Sequence, residues 1–138
     1  MIVLDTNVVS ELMKPEPDSR VKRWLRFRAG ETLVTTSVTA AEILYGIKRL
    51  AEGRRRDELA ASFETLMSLG FRDRLLVFDE RAAAAHADIV VARVRQGRSI
   101  EIMDAMIASI ARSQAADIAT RNASDFADCG VQILNPWE

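Results

Sequence analysis

Short β-branched apolar runs alternate with stretches of helical periodicity along the whole chain, and this alternation confines the fold to an α/β architecture with a mostly parallel sheet. Ile2-Val3-Leu4 has the unbroken hydrophobicity of a strand buried on both faces. Strands of the same kind are expected at 32–36, 75–78, 117–120 and 131–134. A short helix following the first strand is ended by Lys14-Pro15-Glu16-Pro17. The next helix, 19–28, buries Val21, Trp24, Leu25 and Phe27. Helical patterns over 38–52, stopping near Gly53, and over 54–68, with Leu59, Phe63, Leu66 and Met67 in register, read as a helical hairpin. Asp79-Glu80 opens an alanine-rich helix that runs to about 96 with Gly97 as its stop, and a last helix covers 100–113. The expected architecture is one domain over residues 1–138, with four to five strands flanked by helices and no linker, repeat or low-complexity tract.

Such sheets bind ligands beyond the carboxyl ends of their strands, which directs attention to the acids placed there. Asp5 ends the first strand. Aspartate is also a good helix N-cap, so Asp5 has a purely structural reading beside a functional one. Glu42, in TTSVTAAEILYG, lies one turn into the helix after the second strand, and Thr39-x-x-Glu42 has the spacing of a capping box. Asp104, in SIEIMDAMIASIA, has Ile100, Ile107, Ala108 and Ala111 as helical neighbours, so its carboxylate lies on or beside an apolar face with no Lys or Arg at a neighbouring position. Its structural alternative is an acid favoured at a helix N-terminus. In ATRNASDF, Thr120 and Asn122 follow a strand end and Asp125 comes one short turn later; Asn122 also suits a turn and Asp125 a cap.

Carboxylates sharing one cleft repel each other, and a hard divalent cation with oxygen ligands keeps such a group ionised. The chemistry this implies is metal-assisted hydrolysis of a phosphodiester, with Mg²⁺ or Mn²⁺ as the ion. Other chemistries lack their residues. The single Cys129 has no partner for a disulfide or a zinc site, and the lone His86 has no companions for a triad; both read as structural. The net charge of −1 conceals basic runs at Arg20–Arg28, Lys48-Arg49, Arg54-Arg55-Arg56 and Arg93–Arg98, which suit solvated helix faces or a rim that holds a phosphate backbone. No apolar run has the length of a signal peptide or membrane span, so the expected location is the cytoplasm.

Four stretches in order, LDTNVVSEL, TAAEILYGI, IEIMDAMIASIA and IATRNASDF, resemble the PIN domain, and within it the VapC-type ribonuclease toxins of bacterial toxin–antitoxin pairs, the branch that contains FitB. The resemblance covers essentially the whole chain. It implies a ribonuclease with a Mg²⁺ or Mn²⁺ site in which Asp5, Glu42 and Asp104 are the core acids and Thr6 and Asn7 their companions. Thr120, Asn122 and Asp125 shape the other wall; many relatives carry an acid where this chain has Asn122, which leaves Asp125 as the available carboxylate. It also implies a cognate antitoxin that blocks the cleft, RNA as substrate, contact with DNA only through the antitoxin, and self-association as a homodimer or larger complex. Candidate contacts for the latter are the helix around Ile43-Leu44-Ile47 and the face of Ile89-Val90. A non-catalytic PIN module that binds RNA or protein is the alternative. An aspartate-phosphorylated domain fits poorly, since Asn7 stands where a dehalogenase-like phosphatase needs a second acid and no lysine follows Lys48 for a receiver.

Overall fold

The computed structural model describes residues 1–138 as a five-stranded sheet with helices on both faces. In chain order the elements are β1 (Ile2–Leu4), α1 (Thr6–Leu12), α2 (Ser19–Phe27), β2 (Leu33–Thr36), α3 (Ser37–Lys48), α4 (Arg54–Gly70), β3 (Leu75–Leu76), α5 (Glu80–Arg95), α6 (Ile102–Ser113), β4 (Asp117–Ala119), a 3₁₀ turn (Ala123–Phe126) and β5 (Ile133–Leu134). The strand order is β3-β2-β1-β4-β5, and every pairing is parallel. β1 is central, with Val3 opposite Val34 on one side and Ile118 on the other. All carboxyl ends therefore meet along one edge, where Asp5, Thr36 and Thr120 follow or end their strands.

The period-2 alternation of β1 divides the core. Ile2 and Leu4 face a cluster with Val8, Val9, Val21, Ile43, Ile47 and Trp137, while Val3 faces one with Ile89, Ile107, Ile110, Ile118 and Phe126. Leu59, Phe63, Leu66 and Met67 of α4 close over the first of these, so the helical hairpin of α3 and α4 forms as its apolar spacing predicts. No helix is long and apolar enough to cross a membrane.

Several local expectations are corrected. β3 and β5 are two residues each, and α3 ends at Lys48 rather than near Gly53. Phe27 is 82% exposed, because α2 turns Val21, Trp24 and Leu25 to the core and Phe27 lies off that stripe. Of the candidate contacts, Ile43, Ile47 and Ile89 are core residues and Val90 is partly buried; Leu44 is exposed as expected, and the rest of the apolar surface on α3 and α5 is Tyr45, Val91 and Val94. Arg93 is not part of a solvated run; it is 5% exposed. As expected, Cys129 is buried and His86 is packed, its ring edge-on to Phe78 with 5.7 Å between centroids.

Candidate active site

Asp5 owes its position to two adjacent elements. Its amide donates to the Ala119 carbonyl at 3.0 Å, continuing the β1–β4 ladder, while its side chain caps α1 by accepting from the Thr6 amide through Oδ1 at 2.8 Å. Oδ2 accepts from the Thr120 hydroxyl at 2.8 Å and from Asn7 Nδ2 at 3.0 Å. Capping is therefore real, and it leaves Oδ1 with acceptor capacity to spare, since each carboxylate oxygen has two lone pairs. The group is buried, and burial pushes its pKa up despite the bonds from Thr120 and Thr6.

Thr120 is the hub of this corner. Its hydroxyl donates to Asp5 and accepts from Asn7 Nδ2 at 3.1 Å and from the Asn122 amide at 3.0 Å, which uses its whole hydrogen-bonding capacity. Asn7 extends the link, its Oδ1 accepting from the Arg121 amide at 3.1 Å. Thr120→Val preserves shape and removes the hub, leaving the Asn122 amide and one N–H of Asn7 Nδ2 without that acceptor and Asp5 Oδ2 with its bond from Asn7 alone. It is expected to cost about 2–3 kcal/mol in a urea melt. It also drives the Asp5 carboxyl further up, because the Thr120 bond is the strongest influence lowering it.

Glu42 is not in a capping box. The N-cap of α3 is Thr36, whose hydroxyl accepts from the Thr39 amide at 3.0 Å, so the helix starts one turn earlier than Thr39 would set it. Glu42 instead faces α1: its Oε1 accepts from the Thr6 hydroxyl at 3.2 Å, and the Thr6 and Thr39 hydroxyls are 3.2 Å apart. Its pKa is raised by partial burial, opposed by the Thr6 bond and reinforced by the charges of Asp5 and Glu101.

Asp104 lies in the first turn of α6, as its structural alternative requires, yet the free amides there do not go to it. Glu101, the N-cap, accepts from the Met103 amide at 3.1 Å and the Asp104 amide at 3.2 Å. The Asp104 carboxyl is pushed up to about 7, first by burial and then by the charges of Asp5, Glu101, Asp125 and Glu42. Glu101 is the member that the sequence reading missed. Its one signal was an acid three residues before Asp104 at a helix start, and glutamate is not among the favoured caps.

Asp125, on the 3₁₀ turn, shares a cleft of about 520 Å³ with Arg93, Ser99, Ile100, Glu101 and Asp104. Asn122 is exposed and takes part through its amide rather than its side chain. On the other side, Thr6 and Glu42 line a groove of about 440 Å³ between α1, α3 and α4, with Met13, Ile43, Ile47 and Leu59 along it and Lys14 and Arg55 among its cations.

None of the six ion pairs in the molecule includes Asp5, Glu42, Glu101, Asp104 or Asp125. An all-oxygen set of mutually repelling carboxylates with no protein cation paired to it fits a hard divalent ion. As the side chains stand, no three acids converge closely enough to enclose one unaided. Of the basic runs, Arg20, Lys22, Arg28, Arg54 and Arg98 are engaged by neighbouring acids.

The PIN domain family model matches residues 2–130. The chain is 38% identical over 138 residues to the VapC ribonuclease Y4jK of Sinorhizobium fredii, covering 100% of this chain and 99% of the relative. It is 35% identical over 137 residues to toxin FitB of Neisseria gonorrhoeae, covering 99% of each. Among solved structures, FitAB bound to an IR36 DNA fragment superposes with a TM-score of 0.89 at 35% identity, over 100% of this chain and 96% of that one.

Proposed function

The chain belongs to the PIN-domain family, and on that premise we propose that it is a divalent-metal-dependent endoribonuclease, the toxin of a VapBC-type toxin–antitoxin pair. One observation carries this reading: Asp5, Glu42 and Asp104 at the strand-end edge have raised pKa values, through burial first and neighbouring carboxylate charge second, and no protein cation pairs with any of them. Toxin and ribonuclease are what the relatives are named, and the likeness extends along nearly the whole of both chains.

Asp5 and Asp104 are the acids assigned to hold Mg²⁺ or Mn²⁺, with Glu42 either joining them or orienting the attacking water. When bound, the ion stabilises charge developing on the phosphoryl group and lowers the pKa of water. The remaining work belongs to the protein. Thr6, Asn7 and Thr120 lock both oxygens of Asp5. Thr6 also turns Glu42 Oε1 toward α1, leaving Oε2 to accept a proton from water. Asp125 forms the far wall opposite Asp104. Arginines outside the ion pairs, such as Arg55 beside the groove, suit the RNA backbone.

The same reading supplies partners. The FitB relative is solved as FitAB on a DNA fragment, so this chain is assigned a cognate antitoxin and contact with DNA only through it. The groove between α1, α3 and α4, which runs up to Glu42, suits an apolar segment of that partner. A homodimer through the exposed apolar residues of α3 and α5, acting in the cytoplasm, completes the proposal.

The test is induced expression in a bacterial host. Growth arrest that disappears with Asp104→Asn, and that co-expression of the small protein encoded beside this chain relieves, is the expected result. Soluble, folded protein that leaves growth and RNA intact favours the non-catalytic module instead.

A further inference from the structure

Arg93 is the one cation buried beside the acid cluster, and it is spent on backbone carbonyls rather than on a carboxylate. From α5 its Nε donates to the Arg98 carbonyl at 2.9 Å and its Nη2 to the Ser99 carbonyl at 3.4 Å. Its Nη1 donates to the carbonyls of Asp125 at 3.1 Å and Ala127 at 2.8 Å, with the Cys129 sulfur at 3.8 Å. These acceptors belong to two segments remote in sequence. One leads directly into Glu101 and Asp104, and the other carries Asp125. The cleft between them is the one that all three acids line together with Arg93.

A guanidinium presents its N–H donors in a rigid planar fork, so one group bonded to both segments sets the distance between them. The choice of acceptor matters equally. Arg93 takes the backbone oxygen of Asp125, and no ion pair consumes that residue's carboxylate, which stays available to the cleft. A buried arginine paired with an acid would have neutralised a member of the cluster; this one is satisfied by neutral carbonyls and leaves the negative charge intact. Neighbouring Arg95 and Arg98 are exposed and lack this arrangement.

We infer that Arg93 is a positioning residue of the metal-dependent site: its guanidinium clamps the Arg98–Ser99 segment to the Asp125–Ala127 turn and so fixes the spacing of Glu101 and Asp104 against Asp125. The inference rests on the ribonuclease reading, and its test separates the two. Mn²⁺ binding to the full chain is followed by electron paramagnetic resonance of the free ion, for the native protein, Arg93→Met and Arg93→Lys, below the melting temperature of each. Met keeps the stem without donors; Lys keeps the charge without the fork. Both variants are expected to bind Mn²⁺ about 10- to 100-fold more weakly, the usual penalty for losing a group that orients metal ligands. Their cleavage is expected to recover at high Mn²⁺ with an unchanged KM for RNA. A role in stability alone lowers the folded fraction and leaves the Mn²⁺ half-point in place. If Arg93→Met does not fold, Arg93→Lys decides. Native Mn²⁺ affinity in a folded variant overturns the inference and spares the ribonuclease reading, whereas a native protein that binds no Mn²⁺ removes both.

Discussion

Asp5→Asn is expected to abolish RNA cleavage and to destabilise the fold together. The activity loss should be about a thousandfold or more, corresponding to about 4 kcal/mol of transition-state stabilisation, because an asparagine does not replace an anionic oxygen ligand. The stability loss follows from donor counting. One asparagine oxygen can face the Thr6 amide, and the NH₂ group then faces the Thr120 hydroxyl, which already accepts from Asn7 and from the Asn122 amide. A third donor has no lone pair to use. Orphaning it in a buried site is expected to cost about 2 kcal/mol, read as a lower urea midpoint with an unchanged m-value. An unchanged midpoint would mean that the corner is looser than the hydrogen bonds imply.

Asp104→Asn should lose activity on a similar scale, yet with the opposite effect on the metal-free fold. The Asp104 carboxyl is raised from 3.8 to about 7. Between those values the folded protein holds a proton that the unfolded chain has released. The stability that this proton contributes is full below the unfolded pKa, falls as pH rises, and is gone once pH passes the folded pKa. Asp5 and Glu42, also raised, act in the same direction. Asparagine stays neutral throughout, so at pH 8 the metal-free variant should melt higher than the native protein. Discounted for the group's partial contact with solvent, the gain is on the order of 1 kcal/mol, or about 3–4 °C. At pH 4 the two should converge. Added Mn²⁺ should reverse the order at pH 8, because only the native cluster gains its full binding energy. Melting curves at both pH values, with and without Mn²⁺, check all of this; equal native and variant melting at pH 8 without metal would contradict a raised Asp104 carboxyl.

What could be read before folding, and what could not, divides along a physical line. β1 was legible because three β-branched or leucine residues in a row have few alternatives, and Asp5 because a charge at the end of such a run demands a partner. Asp104 was legible for the same reason, an acid on an apolar helix face without a cation. The capping box at Thr39 was misleading because Thr36 is an equally good cap. Which threonine starts the helix depends on where β2 ends, and that is set by pairing with β1 through Val3 and Val34. Arg93 looked like part of a solvated charge run because composition cannot tell which side of α5 faces the 3₁₀ turn. Glu101 escaped for a similar reason: its place beside Asp104 is created by the helix start itself. The apolar residues on α3 were visible as a stripe, but whether a stripe meets a core or a partner is a tertiary fact, and here Ile43 and Ile47 went to the core.

The central claim is that the strand-end acids form a metal-dependent ribonuclease site. It is tested most directly by incubating the purified, antitoxin-free protein with labelled RNAs, structured transfer RNAs included, in Mg²⁺ or Mn²⁺, beside an EDTA control and Asp104→Asn. Cleavage that requires the ion and is lost in Asp104→Asn is the predicted result. Cleavage that survives both controls, or folded protein that cuts none of the RNAs in either metal, would contradict it.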